Sequence, residues 1–272
     1  MRIIRSIAEF PANSTILTGF VPTMGALHDG HLSLIKKSKS ENERTVASIF
    51  VNPTQFRPGE DLDKYPRPFE KDCEVAASAG ADLIFAPSTE EIYSEFPTRI
   101  HVPFVTEMFE GATRPGHFDG VATIVAKLFN IVSPKNAYFG EKDLQQCAVI
   151  KKLVKDLNFE INIIICETFR EESGLAKSSR NAYLSEDELR VAPLLHQSLI
   201  EAKTAIVNGT SCQIAIENSK SYLANNSFQV DYFELVNRET MHPLIAINDH
   251  ASLIVAANLG TTRLIDNVRV VG

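Results

Sequence analysis

Cysteine is scarce. The 272 residues hold four, Cys73, Cys147, Cys166 and Cys212, and none forms a C-x-x-C pair. Their wide, irregular spacing excludes a disulfide framework and a cysteine metal site. Cys147 and Cys166 lie inside apolar patterns and read as buried thiols, a use that fits a reducing compartment. Basic runs are missing too: no run of Lys/Arg is longer than the pairs Lys36-Lys37 and Lys151-Lys152, and the formal net charge is −7. That excludes the basic stripe of a nucleic-acid binder, and the two pairs read as solvated helix faces. No apolar stretch reaches the length of a membrane span. The opening Met1–Ser6 leads into no apolar stretch before a cleavage site. The expectation is a cytoplasmic protein with neither a nucleic-acid nor a membrane partner. Internal repeats and low-complexity tracts are likewise absent.

What is present is an ordinary globular composition, 44% hydrophobic and 22% charged. Such a chain buries a core without staples, as one large domain or two modest ones. Strand-like and helix-like segments alternate through its first two-thirds. Strands are expected at Thr15–Val21, Thr45–Val51, Ala81–Ala86, Asn136–Phe139 and Glu160–Glu167. Helices are expected from about Gly30 to Glu41, over Pro68–Ala79, Gly120–Val132 and Asp143–Asn158. In the last of these, apolar residues at 144, 147, 148, 150, 153, 154 and 157 follow the helical period. Such alternation argues for a doubly wound α/β domain with a parallel sheet, over residues 1–168. Helices at Leu184–Asn208 and Ser211–Asn225 come next. Strands at Gln229–Val236, Ser252–Ala257 and Arg263–Val270 then complete a smaller α+β domain, 169–272, with an antiparallel sheet. The boundary falls near Thr168–Glu172.

Pro22-Thr-Met-Gly-Ala-Leu-His-Asp-Gly-His31 directly follows the first long strand and opens the first long helix. Gly25 permits a tight turn and close approach to a ligand. The helix N-terminus offers N–H groups and a positive dipole end to a phosphate. His28 and His31 are three apart and share a face of a helical turn. Two imidazoles there can stabilise the extra charge of a phosphoryl transition state. A lone H-x-x-H is ordinarily one capping and one packed histidine. Here its place after the first strand favours chemistry. Zinc is disfavoured, because the Glu of H-E-x-x-H and a third ligand are missing.

Three other segments carry polar groups. Asn52 and Gln55, in Val51–Phe56, are uncharged amides suited to a small hydroxylated acid. Gly140-Glu141-Lys142-Asp143 lies between a strand and an amphipathic helix: Lys142 can reach a phosphate and Asp143 can cap. Gln145 and Gln146 follow on the first turn. Lys177-Ser178-Ser179-Arg180 packs two hydroxyls and two cations into four residues, a compact clamp for a triphosphate.

Together with PTMGALHDGH, the segments SIFVNPTQF, EDLDKYPR, RPGHFDGV, FGEKDLQQ, SSRNAYLS and RLIDN resemble the pantothenate synthetase (pantoate–β-alanine ligase) family along nearly the whole chain. The resemblance implies a Rossmann-like domain of the H-x-G-H nucleotidyltransferase kind with a smaller lid domain, in a cytoplasmic homodimer. It implies that ATP, with Mg²⁺, activates pantoate as pantoyl adenylate, which β-alanine then attacks to give pantothenate, AMP and pyrophosphate. By position, Met24, Gly25, Ala26, Leu27, His28, Asp29, Gly30 and His31 line the ATP site, and His28, His31 and Lys142 are catalytic. Gly140, Glu141, Lys142 and Asp143 hold the nucleotide. Phe169 touches the adenine through its backbone, and Lys177, Ser178, Ser179 and Arg180 close over the triphosphate. Gln55 and Gln146 bind pantoate, Asn52 joins the substrate site, and Asp72 lies near magnesium. Lys177 departs from the family pattern, which has an apolar residue before Ser-Ser-Arg. Arg114 lies near the pocket without a role. Two other readings are a nucleotidyltransferase of the same fold acting on a phosphate-bearing acceptor, and a non-catalytic nucleotide-binding module.

Overall fold

A computed structural model describes residues 1–10, 16–57, 59–60, 62–93 and 98–270. Thr15, at the head of the first expected strand, and Asp61 of the EDLDKYPR segment lie outside the described residues. Two compact units emerge, Met1–Gly140 with Val149–Cys166, and Glu141–Ala148 with Glu167–Gly272. The sequence boundary near Thr168–Glu172 had left Glu141–Ala148 with the first domain. They go with the second because Arg238, Arg269 and Asn267 all bond to Glu141.

The elements run β1 (Arg2–Ile4), β2 (Thr18–Thr23), α1 (Asp29–Glu41), β3 (Arg44–Ile49), α2 (Phe69–Ser78), β4 (Leu83–Phe85), α3 (Thr89–Ile92), α4 (Glu110–Thr113), α5 (His117–Val132), β5 (Asn136–Gly140), α6 (Leu144–Asp156) and β6 (Asn162–Cys166). The six strands form one sheet in the order β1-β4-β3-β2-β5-β6, and every pair is parallel. Successive strand residues face opposite ways, and both faces of β2 are buried. Phe20 meets Phe129 of α5 edge-on, ring centroids 6.4 Å apart. Val21 packs on the other face with Leu34 and Ile35 of α1 and Ala76 of α2. Burial on both faces is why β2 reads as a nearly continuous apolar run.

From β2 the chain winds outward to β3 and β4, then crosses back to β5 on β2's other side. Ligands of such sheets bind beyond the strands' carboxyl ends at this reversal. The ends of β2 and β5 are Thr23 and Gly140, which lie in two of the segments expected to hold phosphate. The edge strand β1 escapes sequence reading. Three residues are too few to show a period, yet Ile4 is fully buried and Arg2–Ile4 pair with Leu83–Phe85.

In the second unit the expected helix Leu184–Asn208 is two helices, α7 (Glu186–Val191) and α8 (Leu194–Val207). Pro193 separates them, since it has no N–H with which to continue the ladder. Then come α9 (Cys212–Asn225) and an antiparallel sheet of β7 (Phe228–Asn237), β8 (Ala251–Leu259) and β9 (Thr262–Arg269) in that order. Leu195 and Leu199 of α8 and Leu223 of α9 share a core with Phe233 of β7 and Leu253 and Val255 of β8. The architecture is therefore a doubly wound parallel α/β unit and a smaller α+β unit.

Candidate active site

The β2–α1 turn is built around Asp72 of α2. Its Oδ2 accepts the N–H of Ala26 at 2.8 Å and its Oδ1 that of Leu27 at 2.7 Å. Gly25 has φ +87°, and a Cβ there would lie 3.0 Å from Asp72 Oδ2, so position 25 tolerates no side chain. Ala26 also takes a positive φ, +52°, held by its bond to the carboxylate. The magnesium role implied for Asp72 is corrected by this geometry. Its side chain is buried, with 1% of the residue exposed, and both oxygens face backbone N–H groups. Among the described residues no group of three or more His, Cys, Asp or Glu side chains could hold a metal ion. Asp72 does not fit as a metal ligand.

His28 is the N-cap of α1 rather than a residue of its first turn. Its Nδ1 accepts the Gly30 N–H at 3.2 Å, while His31 Nδ1 accepts the His28 N–H at 3.3 Å. This is a capping box made of two imidazoles. The rings lie 4.1 Å apart. Because both Nδ1 atoms accept, the proton of a neutral ring sits on Nε2.

After β3, Asn52 caps the turn Pro53–Gln55. Its Nδ2 donates to Gln55 Oε1 at 3.0 Å and to the Gly120 carbonyl at 3.1 Å. Its Oδ1 accepts from Thr54 Oγ1 and Tyr93 Oη. The amide is engaged on both sides, and its bond to Oε1 orients Gln55. The Gln55 Nε2 points at Met24 Sδ, 2.8 Å away.

The segment RPGHFDGV, without a role by sequence, supports this turn. His117 Nδ1–H donates to the Gln55 carbonyl at 2.8 Å, and His117 Nε2 accepts from Arg114 at 3.2 Å. The second bond requires the neutral ring, since a charged imidazole has no accepting nitrogen. Burial, then the Arg114 charge, push the His117 imidazole down to about 4. Arg114 also forks onto Glu60. Burial raises the Glu60 carboxyl, but hydrogen bonds from Arg114 and Arg57 outweigh it and hold it at about 2.

In the second unit, the Glu141 carboxylate is paired with Arg238 and Arg269, its side chain 11% exposed. It fixes the turn and is not presented to a phosphate. Lys142 Nζ lies 3.6 Å from Asp143 Oδ1. Gln145 is buried and Gln146 half-buried on the first turn of α6. The segment 169–177 folds back on itself: Lys177 N–H donates to the Phe169 carbonyl at 2.9 Å, and Glu171 N–H to the Leu175 carbonyl at 2.9 Å. Lys177 Nζ meets Glu171 Oε1 at 3.2 Å, an ion pair across the hairpin. Ser178 caps the turn Ser179–Tyr183, accepting the N–H of Arg180. Phe169 is exposed.

Sequence reasoning missed Arg170, His196, Asp266 and Asn267. Arg170 clasps Asp266 with bonds of 2.7 and 2.9 Å, and His196 Nδ1 stands 3.4 Å from the same carboxylate. Burial raises the Asp266 carboxyl, but His196 and Arg170 outweigh it and lower it. The available signal was a charged residue inside the apolar strand pattern of Leu264–Val268.

The comparisons with known proteins give the family and the fold. Residues 2–269 match the family described as pantoate-beta-alanine ligase. The pantothenate synthetase of Caldicellulosiruptor saccharolyticus is 50% identical over 92% of this chain and 90% of that protein. That of Acetivibrio thermocellus is 48% identical over 98% and 99%. The crystal structure of Thermus thermophilus pantothenate synthetase superposes with a TM-score of 0.95 at 45% identity, covering 100% of both chains. The Francisella tularensis pantoate-beta-alanine ligase, solved with beta-gamma ATP and beta-alanine, gives a TM-score of 0.83 at 37% identity over 99% and 98% of the chains. These likenesses decide against a transferase of the same fold and against a non-catalytic module, and the chain belongs to the pantoate–β-alanine ligase family.

Proposed function

We propose that this ATP-dependent ligase condenses (R)-pantoate with β-alanine by way of pantoyl adenylate, using His28, His31 and Lys142 to stabilise the phosphoryl group in transfer. The observation that carries the reading is the imidazole capping box at the start of α1, in which both Nδ1 atoms accept backbone N–H groups. With the proton on Nε2, each ring carries a donor of the kind that binds phosphate oxygens at a helix N-terminus.

A pantoate carboxylate oxygen attacks the α-phosphorus, and the bond to the bridging oxygen breaks to release pyrophosphate. The β-alanine amine then attacks the acyl carbon. The carbon–oxygen bond to AMP breaks, and the amine gives up its proton. No protein nucleophile is required, so the side chains align reactants and stabilise charge. Alignment of two reactants can contribute about 7–11 kcal/mol.

The assignments follow the segments. Met24–His31, Gly140–Asp143, the backbone at Phe169 and Lys177–Arg180 serve ATP, with Lys142 on its phosphates. Gln55 and Gln146 serve pantoate. Asn52 and Asp72 act as positioning residues, and Mg²⁺ enters as part of the Mg-ATP substrate, held by phosphates and water. The reading extends to a homodimer in the cytoplasm. Four cysteines, none in a disulfide, support the reducing compartment, and dimerisation rests on the family resemblance. Among the described residues no helix is long and apolar enough to cross a membrane.

A coupled assay tests the proposal. AMP formation that needs both pantoate and β-alanine, with acyl adenylate trapped when β-alanine is omitted, is expected. AMP release indifferent to β-alanine would overturn the second half-reaction.

A further inference from the structure

Two adjacent residues of β9 reach the two segments of this unit that are assigned to ATP. The Asn267 Nδ2 donates one proton to the Glu141 carbonyl at 2.9 Å and the other to the Lys142 carbonyl at 3.0 Å. These consecutive carbonyls belong to the 3-10 turn Glu141–Asp143 between β5 and α6, so the amide ties that turn to β9. Asp266 faces the other way, as alternation along a strand requires. Its carboxylate receives both arms of Arg170, whose Nη1 also donates to the Gly174 carbonyl at 3.1 Å. Arg170 bridges Ala176 at the base of the hairpin that carries Phe169 and leads into Lys177–Arg180. Both residues are at most 5% exposed, and both are pinned in register, Asp266 opposite Val255 and Asn267 opposite Ile254.

We infer that Asp266-Asn267 is a positioning pair for ATP, with Asn267 fixing the Lys142 turn and Asp266 fixing the hairpin before the Lys177–Arg180 clamp. Neither residue touches the nucleotide. Each acts by holding backbone, so that the arcs swept by the Lys142 and Arg180 side chains start from fixed points. A buried donor pair satisfied by two carbonyls is also hard to replace: Ala removes both bonds, and Asp, of the same shape, can donate to neither carbonyl. The inference rests on the assignment of Lys142 and Lys177–Arg180 to the triphosphate.

Pyrophosphate release by the full chain, with ATP and pantoate varied in turn, tests it. Asn267→Ala and Asn267→Asp should each raise the KM for ATP about 10-fold, inside the roughly 10² that an ångström of misplacement can cost. The KM for pantoate should stay within about twofold. Asp266→Asn should raise the ATP KM as well, and a native value there removes the hairpin half of the inference. A native ATP KM for Asn267→Asp, alongside an impaired Lys142→Ala, would overturn the Asn267 half: the side chain then only fills space. An unimpaired Lys142→Ala would instead overturn the phosphate assignment itself. If thermal melting shows Asn267→Ala unfolded, Asn267→Ser, which keeps one donor, is read by the same two KM values.

Discussion

The Nδ1 of His31 accepts the backbone N–H of His28 at 3.3 Å, so the two histidines that define the site also hold each other in place. The turn, the cap and the proposed catalytic donors are one unit of structure. Capping and catalysis must therefore be separated by the choice of substitution.

His28→Asn keeps an N-cap side chain, whereas His31→Ala removes the ring that completes the box. Both variants should fold, with a stability change of about 1 kcal/mol or less for His28→Asn. His31→Ala should lose at least about 10² in the rate of pyrophosphate release, as loss of a charge-stabilising donor does. Thermal melts and single-turnover rates report the two properties. Near-native turnover of His31→Ala would refute its role.

Asp72→Asn replaces one acceptor oxygen with an amide that confronts a backbone N–H. With two charge-assisted bonds at 2.7 and 2.8 Å disturbed, a loss on the order of 3 kcal/mol and a raised KM for ATP are expected. The magnesium concentration giving half-maximal rate at saturating ATP should not move. A large increase in that requirement would restore Asp72 as a metal ligand.

Gly120 of α5 packs against the backbone of the Gln55 turn, and a Cβ there would lie 2.5 Å from the Thr54 carbonyl oxygen. Gly120→Ala should push that turn away and raise the KM for pantoate by about an order of magnitude, with the KM for ATP nearly unchanged. Equal effects on both would show a general loosening instead.

Acid sensitivity should come from the network beneath Gln55. Burial and the Arg114 charge hold the His117 imidazole down to about 4 in the fold, against 6.5 for an ordinary histidine. The unfolded chain thus binds the proton first. The stabilising contribution is complete above pH 6.5 and is lost as pH falls to 4, worth about 3 kcal/mol. Glu60, held at about 2 against 4.5, adds a second loss as pH falls from 4.5 towards 2. Urea midpoints measured from pH 7 to 4 should fall less steeply for His117→Gln than for the natural chain. Parallel slopes would contradict the neutral, buried histidine.

Periodicity and punctuation alone pointed to the doubly wound sheet, its four long helices and the strand-to-helix turn at His28–His31, because these features are local. Apolar runs, glycine turns and caps act within a few residues of where they are written. The residues themselves suggested a triphosphate clamp at Lys177–Arg180 and an acid-binding amide at Gln55, and the resemblance added the named substrates and the role of Gln146. The tertiary structure alone decided partnerships between distant residues. Asp72 stands near magnesium by resemblance, and the fold brings it the N–H groups of Ala26 and Leu27 from 46 and 45 residues away. Asn52 reads as an amide for substrate, and the fold adds its bonds to Gly120 and Tyr93. Asp266 and Asn267 read as part of a strand in the RLIDN segment, and the fold sets Arg170 and Glu141, 96 and 126 residues away, on their two sides. The physical reason is the same in each case: a buried polar group takes its role from the partner that satisfies it, and chain folding supplies that partner.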